Sequence, residues 1–188
     1  MTDEVKVEVR RSGRTFEAEA VLDLGADAQT IWDTITDYDE LARFMPGIHH
    51  CHVSERNPRG GGDEHLVVEQ RGEFRFVMFA QKMKVLLNIE NQHLRSSVAK
   101  AVHFELDSMF AKRVIDVFEG RYTLTPLAAA GGSPRTHLSY TGIIGLRLPP
   151  PPAIGNVAIR QNLVTQLEAV AKEVAHRAGR PGAKPKIV

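Results

Sequence analysis

What this sequence lacks narrows its function before any motif is read. It has one cysteine, Cys51, so no disulfide can form within the chain. No stretch reaches the roughly 18 consecutive apolar residues of a membrane-spanning helix. Aromatic residues make up 6% of the chain and the net charge is +1. That leaves little of the basic, ring-studded surface with which proteins hold nucleic acid. No internal repeat is visible. The opening Met1-Thr2-Asp3-Glu4 is acidic and no apolar segment follows it, so no secretory signal is expected. With the lone cysteine, this gives a cytoplasmic location as the expectation. Catalytic signatures are missing as well. There is no Gly-x-Ser-x-Gly elbow, and Gly60-Gly61-Gly62 is followed by Asp63-Glu64 instead of the Lys-Ser/Thr of a phosphate loop.

What is present reads as one globular domain over residues 1–178, with a basic tail over 179–188 that is expected to be disordered. Hydrophobic residues at 43% against 25% charged residues suffice for a core. Val5, Val7 and Val9 alternate with charged neighbours. Phe16, Ala18, Ala20, Leu22 and Leu24 then do the same, predicting two strands. Asp27 is placed to cap a helix carrying Ile31, Trp32 and Ile35. A second short helix ends at Pro46-Gly47. From Ile48 the period is two for about a hundred residues, with strands predicted near 48–57, 63–72, 74–90, 93–106, 113–127 and 136–147. Strands joined by hairpin loops without intervening helices form an antiparallel sheet. The last element, 153–178, is a helix of ~39 Å entered through Pro149-Pro150-Pro151-Pro152 and stopped at Gly179. Its apolar sector, with Ile159, Leu163, Val164, Leu167 and Val170, must lie on that sheet. The fold class is α+β, with about seven strands. A twisted sheet curls, and one helix cannot fill the concavity, so a pocket between them is expected.

The run Ala28-Gln29-Thr30-Ile31-Trp32-Asp33-Thr34-Ile35-Thr36-Asp37-Tyr38, continuing through Leu41, Phe44 and Met45-Pro46-Gly47-Ile48, resembles the opening of START-like proteins. These are helix-grip folds of the Bet v 1 type, and the likeness is to their polyketide cyclase/dehydrase and coenzyme-Q-binding branch. Phe118-Glu119-Gly120-Arg121-Tyr122-Thr123-Leu124-Thr125-Pro126 and Gln166-Leu167 agree with it, and the resemblance spans residues 14–178. It implies an apolar ligand (a lipid, quinone or polyketide) carried between sheet and helix. It implies no catalytic motif and no cofactor, and the partner expected is a small molecule. Transient contact with a membrane surface is compatible with such a role.

Several residues offer chemistry. Arg160 falls on the apolar sector of the last helix, with Asn156 one turn earlier. A buried guanidinium needs a partner, so Arg160 either meets the oxygenated head of a greasy ligand, pairs with a carboxylate, or snorkels to water. Lys100 shares a strand phase with Val98, Val102 and Phe104, and Asp116 shares one with Phe118 and Tyr122. Both are therefore expected to point inward as an ion pair, unless a β-bulge turns one of them out. Tyr122 and Tyr140 offer a ring and a hydroxyl each, while Phe76, Met78, Phe104 and Phe118 supply wall and Leu163, Val164 and Leu167 close it. If the protein is an enzyme, its acid and base groups come from Arg160, Asp116, Tyr122, Tyr140 and Lys100, as an aromatic polyketide cyclase or dehydratase. A sealed core serving protein contacts is the third alternative. His49-His50-Cys51-His52 sends at most two ligands to one face of a strand, so no metal site is expected.

Overall fold

The computed structural model describes residues 5–76, 79–106, 115–147 and 152–179. Two strands open the chain, β1 (Lys6–Ser12) and β2 (Thr15–Leu24), followed by helix α1 (Ala28–Ile35), a 3-10 turn (Tyr38–Glu40) and helix α2 (Leu41–Phe44). Six strands follow: β3 (Ile48–Gly60), β4 (Asp63–Phe76), β5 (Phe79–Gln92), β6 (Ser96–Leu106), β7 (Ile115–Ala130) and β8 (Ser133–Leu146). Helix α3 (Pro152–Ala178) ends the described chain. The eight strands form one antiparallel sheet in the order β1-β2-β8-β7-β6-β5-β4-β3, one strand more than the approximate count from the sequence.

Local chemistry explains the joints. The Asp27 carboxylate accepts from the Thr30 backbone N–H at 2.9 Å and caps α1. The β3–β4 and β7–β8 hairpins both turn on a Gly-Gly pair, Gly61-Gly62 and Gly131-Gly132, with all four φ angles between 64° and 86°. Two successive left-handed residues give the twist that joins adjacent strands, and only glycine adopts it without strain. Gly72, in contrast, makes no turn, and β4 runs on past it to Phe76. A methyl group there would sit 2.0 Å from the carbonyl oxygen of Gly47. Gly72 is small because the α2–β3 corner crosses it, and Gly47 accepts from the Glu73 N–H at 2.8 Å at the same point.

The helices all lie on one face of the sheet, and the core between them includes Phe16, Leu22, Ile31, Leu66, Leu138 and Val170. Ion pairs pin the C-terminal half of α3 to α1 and α2. Arg43 bonds the nearly buried Glu173 carboxylate, and Arg177 reaches Glu173 at 2.8 Å, Asp37 at 3.0 Å and the Asp33 carbonyl at 3.1 Å. Burial pushes the Glu173 carboxyl upward, but Arg177 and Arg43 outweigh it and hold the group below its ordinary value.

Candidate ligand cavity

Between the sheet and the helices lies a cavity of about 260 Å³. This lies just below the ~300–1,000 Å³ usual for small-molecule sites, so it suits a compact molecule. Its walls are apolar: Val85, Leu87 and Ile89 from β5, Phe104 from β6, Phe118 from β7 and Ile144 from β8. Ile35, Leu41 and Met45 close one side, and Ile159 and Leu163 of α3 lie across the top. The polar exceptions fall in separate groups. Gln70, Arg71 and Glu73 on β4 border one end, Asn162 and Gln166 look in from α3, and Tyr38, Ser97, Tyr122 and Tyr140 gather at the other end.

That last group is one line across the sheet. Glu64 pairs with Asn91, Asn91 with Ser97, Ser97 with Tyr122, and Tyr122 with Tyr140, so five adjacent strands each give one polar residue at the same level. Beyond it Leu124 and Leu138 are buried in packed core, so the line marks the cavity floor. Half of it is internally satisfied. The Tyr38 hydroxyl donates to the Asn91 side-chain oxygen at 3.2 Å and lies 3.4 Å from the Ser97 hydroxyl. The Asn91 amide donates to Glu64 at 3.1 Å, and Arg56 caps Glu64 at 2.5 Å. At the other half, the Tyr122 and Tyr140 rings lie 5.1 Å apart at an angle of 53°. Gly120 and Gly142, themselves cross-strand partners, leave room for the Tyr140 ring: a methyl group at Gly142 would lie 2.6 Å from its hydroxyl, and one at Gly120 3.0 Å. Burial pushes Tyr38 and Tyr122 up to about 12, and burial with the neighbouring Tyr122 raises Tyr140 as well, so all three stay neutral phenols.

Of the residues singled out in the sequence, Phe104, Phe118, Tyr122, Tyr140 and Leu163 border this cavity. Leu167 is buried and Val164 half-buried in the adjoining core, outside the cavity lining. Met78 and the Phe76 side chain lie outside the described residues. Three expectations are corrected. Lys100 points to solvent and pairs with Glu119 at 3.1 Å, because Val102 is an extra residue in β6 against Leu86 and Leu87. The bulge reverses the phase, so Ser97, Ala99 and Phe104 share the inner face and Val102 is 54% exposed. Asp116 is likewise an extra residue, in β7, and pairs outward with Arg147. Arg160 is exposed. The covered face of α3 is centred on Ile159 and Val170, and Arg160 falls about 100° round from Ile159. Asn156 is half-buried beside it, with a side-chain oxygen enclosed and without a hydrogen-bond partner among the described residues. In their place α3 presents Asn162 and Gln166, neither of which was singled out as a ligand contact in the sequence; a helix roofing a cavity has no need of apolar residues at every covered position. His50 and His52 are exposed on β3. Among the described residues no three His, Cys, Asp or Glu side chains are grouped to hold a metal ion.

Fold and cavity together define a START-like, helix-grip protein. Residues 24–171 match the family described as polyketide cyclase/dehydrase and lipid transport, and the chain belongs to that family. Solved structures of the same fold include a START superfamily protein from Mycobacterium smegmatis, with TM-score 0.67 at 14% identity, covering 85% of this chain and 97% of that one. Another is the Zhui aromatase/cyclase from Streptomyces sp. R1128, with TM-score 0.67 at 16% identity, covering 90% and 98%. A third, from Thermus thermophilus, has TM-score 0.55 at 16% identity, covering 86% and 96%. No curated protein matches the chain in sequence.

Proposed function

We propose that this protein binds a compact, mostly apolar small molecule in the sheet–helix cavity, as a carrier or sequestering protein. The observation that carries this reading is the composition of the cavity wall: aliphatic and phenylalanine side chains from four strands and α3, interrupted at few, grouped polar points. A volume of about 260 Å³ favours a ring system over a full-length lipid or a quinone with its isoprenoid tail. The acid–base set foreseen from the sequence does not assemble. Lys100, Asp116 and Arg160 lie at the surface, and the raised tyrosines are poor bases. No helix of the described residues is long and apolar enough to cross a membrane.

The test is a thermal-shift series with polycyclic ketones, quinones and fatty acids, run beside Ala99→Leu, which puts a larger side chain into the lining. Stabilisation of the wild type by the compact ring compounds, lost in Ala99→Leu, is expected. No stabilisation by any of them removes the reading.

One observation favours a second reading, cyclisation or dehydration of an aromatic polyketide: two neutral phenols side by side can donate to one carbonyl and favour its enol. Conversion of a poly-β-ketone mimic, abolished by Tyr122→Phe or Tyr140→Phe, would establish it.

A further inference from the structure

We infer that the molecule this cavity takes carries a hydrogen-bond acceptor oxygen at its buried end, received by the hydroxyls of Tyr122 and Tyr140, so that it enters oxygen first. The inference rests on the proposed binding function and specifies the class of molecule: rigid, apolar, ketone- or ether-bearing.

The argument starts from the polar line across the sheet. A row of five polar residues at one level inside an otherwise apolar concavity carries a desolvation cost at each position. In the Glu64–Asn91–Ser97 half, the structure meets that cost with Tyr38 and Arg56, at distances of 2.5 to 3.4 Å. In the Tyr122–Tyr140 half it does not. Neither hydroxyl has a hydrogen-bond partner among the described residues, although Tyr140 is only 9% exposed. Phenylalanine would fill the same space without an unpaired polar atom. The ring of Tyr140 has its place because Gly120 and Gly142 both lack a side chain, so its hydroxyl is held over the floor of the cavity. Two hydroxyls on neighbouring rings that border a cavity and lack a partner among the described residues are groups arranged for something that arrives.

Chemistry then selects the arriving group. A phenol that stays protonated is a stronger donor than acceptor, and two of them fit the two lone pairs of one carbonyl oxygen. Burial keeps both phenols neutral across the physiological range, so this half of the floor offers no charge to attract a cation or to pair with a carboxylate. The opposite end has Arg71 and Glu73, and there an ionic head would be better placed. Polarity therefore runs opposite to the arrangement in which a guanidinium on α3 holds the head group. The oxygen lies deepest, and the hydrocarbon body rests against Phe104 and Phe118.

A matched pair of probes tests this. Fluorenone and fluorene have nearly the same shape and differ by one carbonyl oxygen. Their affinities are measured by calorimetric or fluorescence titration on the full chain, as wild type and as the Tyr122→Phe/Tyr140→Phe double variant. One to two additional hydrogen bonds predict that wild type binds fluorenone at least about fivefold more tightly than fluorene. In the double variant the ratio falls to about one while fluorene affinity is kept. Equal affinities for both probes in the wild type overturn the inference and leave the binding function standing. A ketone preference that persists in the double variant also overturns it, since another group must then be the donor. Binding of neither probe removes the inference together with the reading it rests on. The wild-type comparison is independent of whether the double variant folds.

Discussion

At the scale of single residues, glycines decide more of this site than charged groups do. Gly142 and Gly72 are both crowded, but by different neighbours: the hydroxyl of a tyrosine side chain at 2.6 Å in one case, a backbone carbonyl at 2.0 Å in the other. Side chains give way more readily than backbone. Gly142→Ala is therefore expected to cost ~1–2 kcal/mol of stability and to displace Tyr140, whereas Gly72→Ala costs ~3 kcal/mol or more, since the α2–β3 corner must move. Urea denaturation of the two variants ranks them, and the reverse order would contradict the packing described. Lys100 and Asp116 invite the opposite expectation. Each forms an outward pair at a partly exposed position, so Lys100→Gln and Asp116→Asn should each change stability by less than ~1 kcal/mol and leave probe binding unaltered. A variant that abolished binding would return that residue to the site. The inward placement expected from the sequence failed for a local reason: one extra residue, Val102, inverts a two-residue period, and nothing in the composition of β6 marks where it sits.

At the scale of elements, α3 is held by packing along its length and by charge at its end. The sequence made the helix and its C-terminus legible, because apolar spacing and Gly179 carry both. It left its rotation ambiguous, because Val157 and Val164 extend the apolar sector to one side and Val157 proves 52% exposed. Ion pairs between distant segments carried no local signal at all. Glu173 binds Arg43 and Arg177, and its folded-state pKa is depressed below the ordinary 4.5. A group of that kind contributes stability at pH values above its unfolded pKa and loses it as pH falls through the folded value. Wild type should therefore weaken on acidification below about pH 5, and Glu173→Gln, already weaker by ~1–3 kcal/mol at neutral pH, should weaken less over the same range. Parallel loss in both proteins, in chemical denaturation at stepped pH, would assign the acid sensitivity elsewhere. The strand ends show the same division. The Gly-Gly hairpins were readable from residue type, whereas Gly72, where a strand was expected to end, is a crossing point within β4, a distinction that only tertiary contact makes.

At the scale of the whole molecule, the cavity was foreseeable as geometry, since a long antiparallel sheet and one helix leave space between them. Its floor was not. Tyr122 and Tyr140 could be assigned inward phases from their own strands, but their alignment with Ser97, Asn91 and Glu64 requires the register of five strands at once. All three tyrosines of the chain, Tyr38, Tyr122 and Tyr140, meet there. This gives the fold an alkaline sensitivity with a definite sign. Each phenol is raised above its ordinary 10.0, so the unfolded chain releases protons first and stability falls as pH rises from about 10 towards 12. Phenolate absorbance should then appear together with unfolding and not before it; titration of any tyrosine in the native protein near pH 10 would show an open floor. The row has a further meaning for how the site can change. Its level is set by hairpin register in the middle of the sheet, whereas Gln70, Arg71 and Glu73 lie at the far end of β4. On the proposed binding function, substitutions there would alter which molecules are accepted without altering how deep they travel. On that function the sheet acts as a depth gauge, and two relatives with the same row would share one stopping point while accepting different molecules.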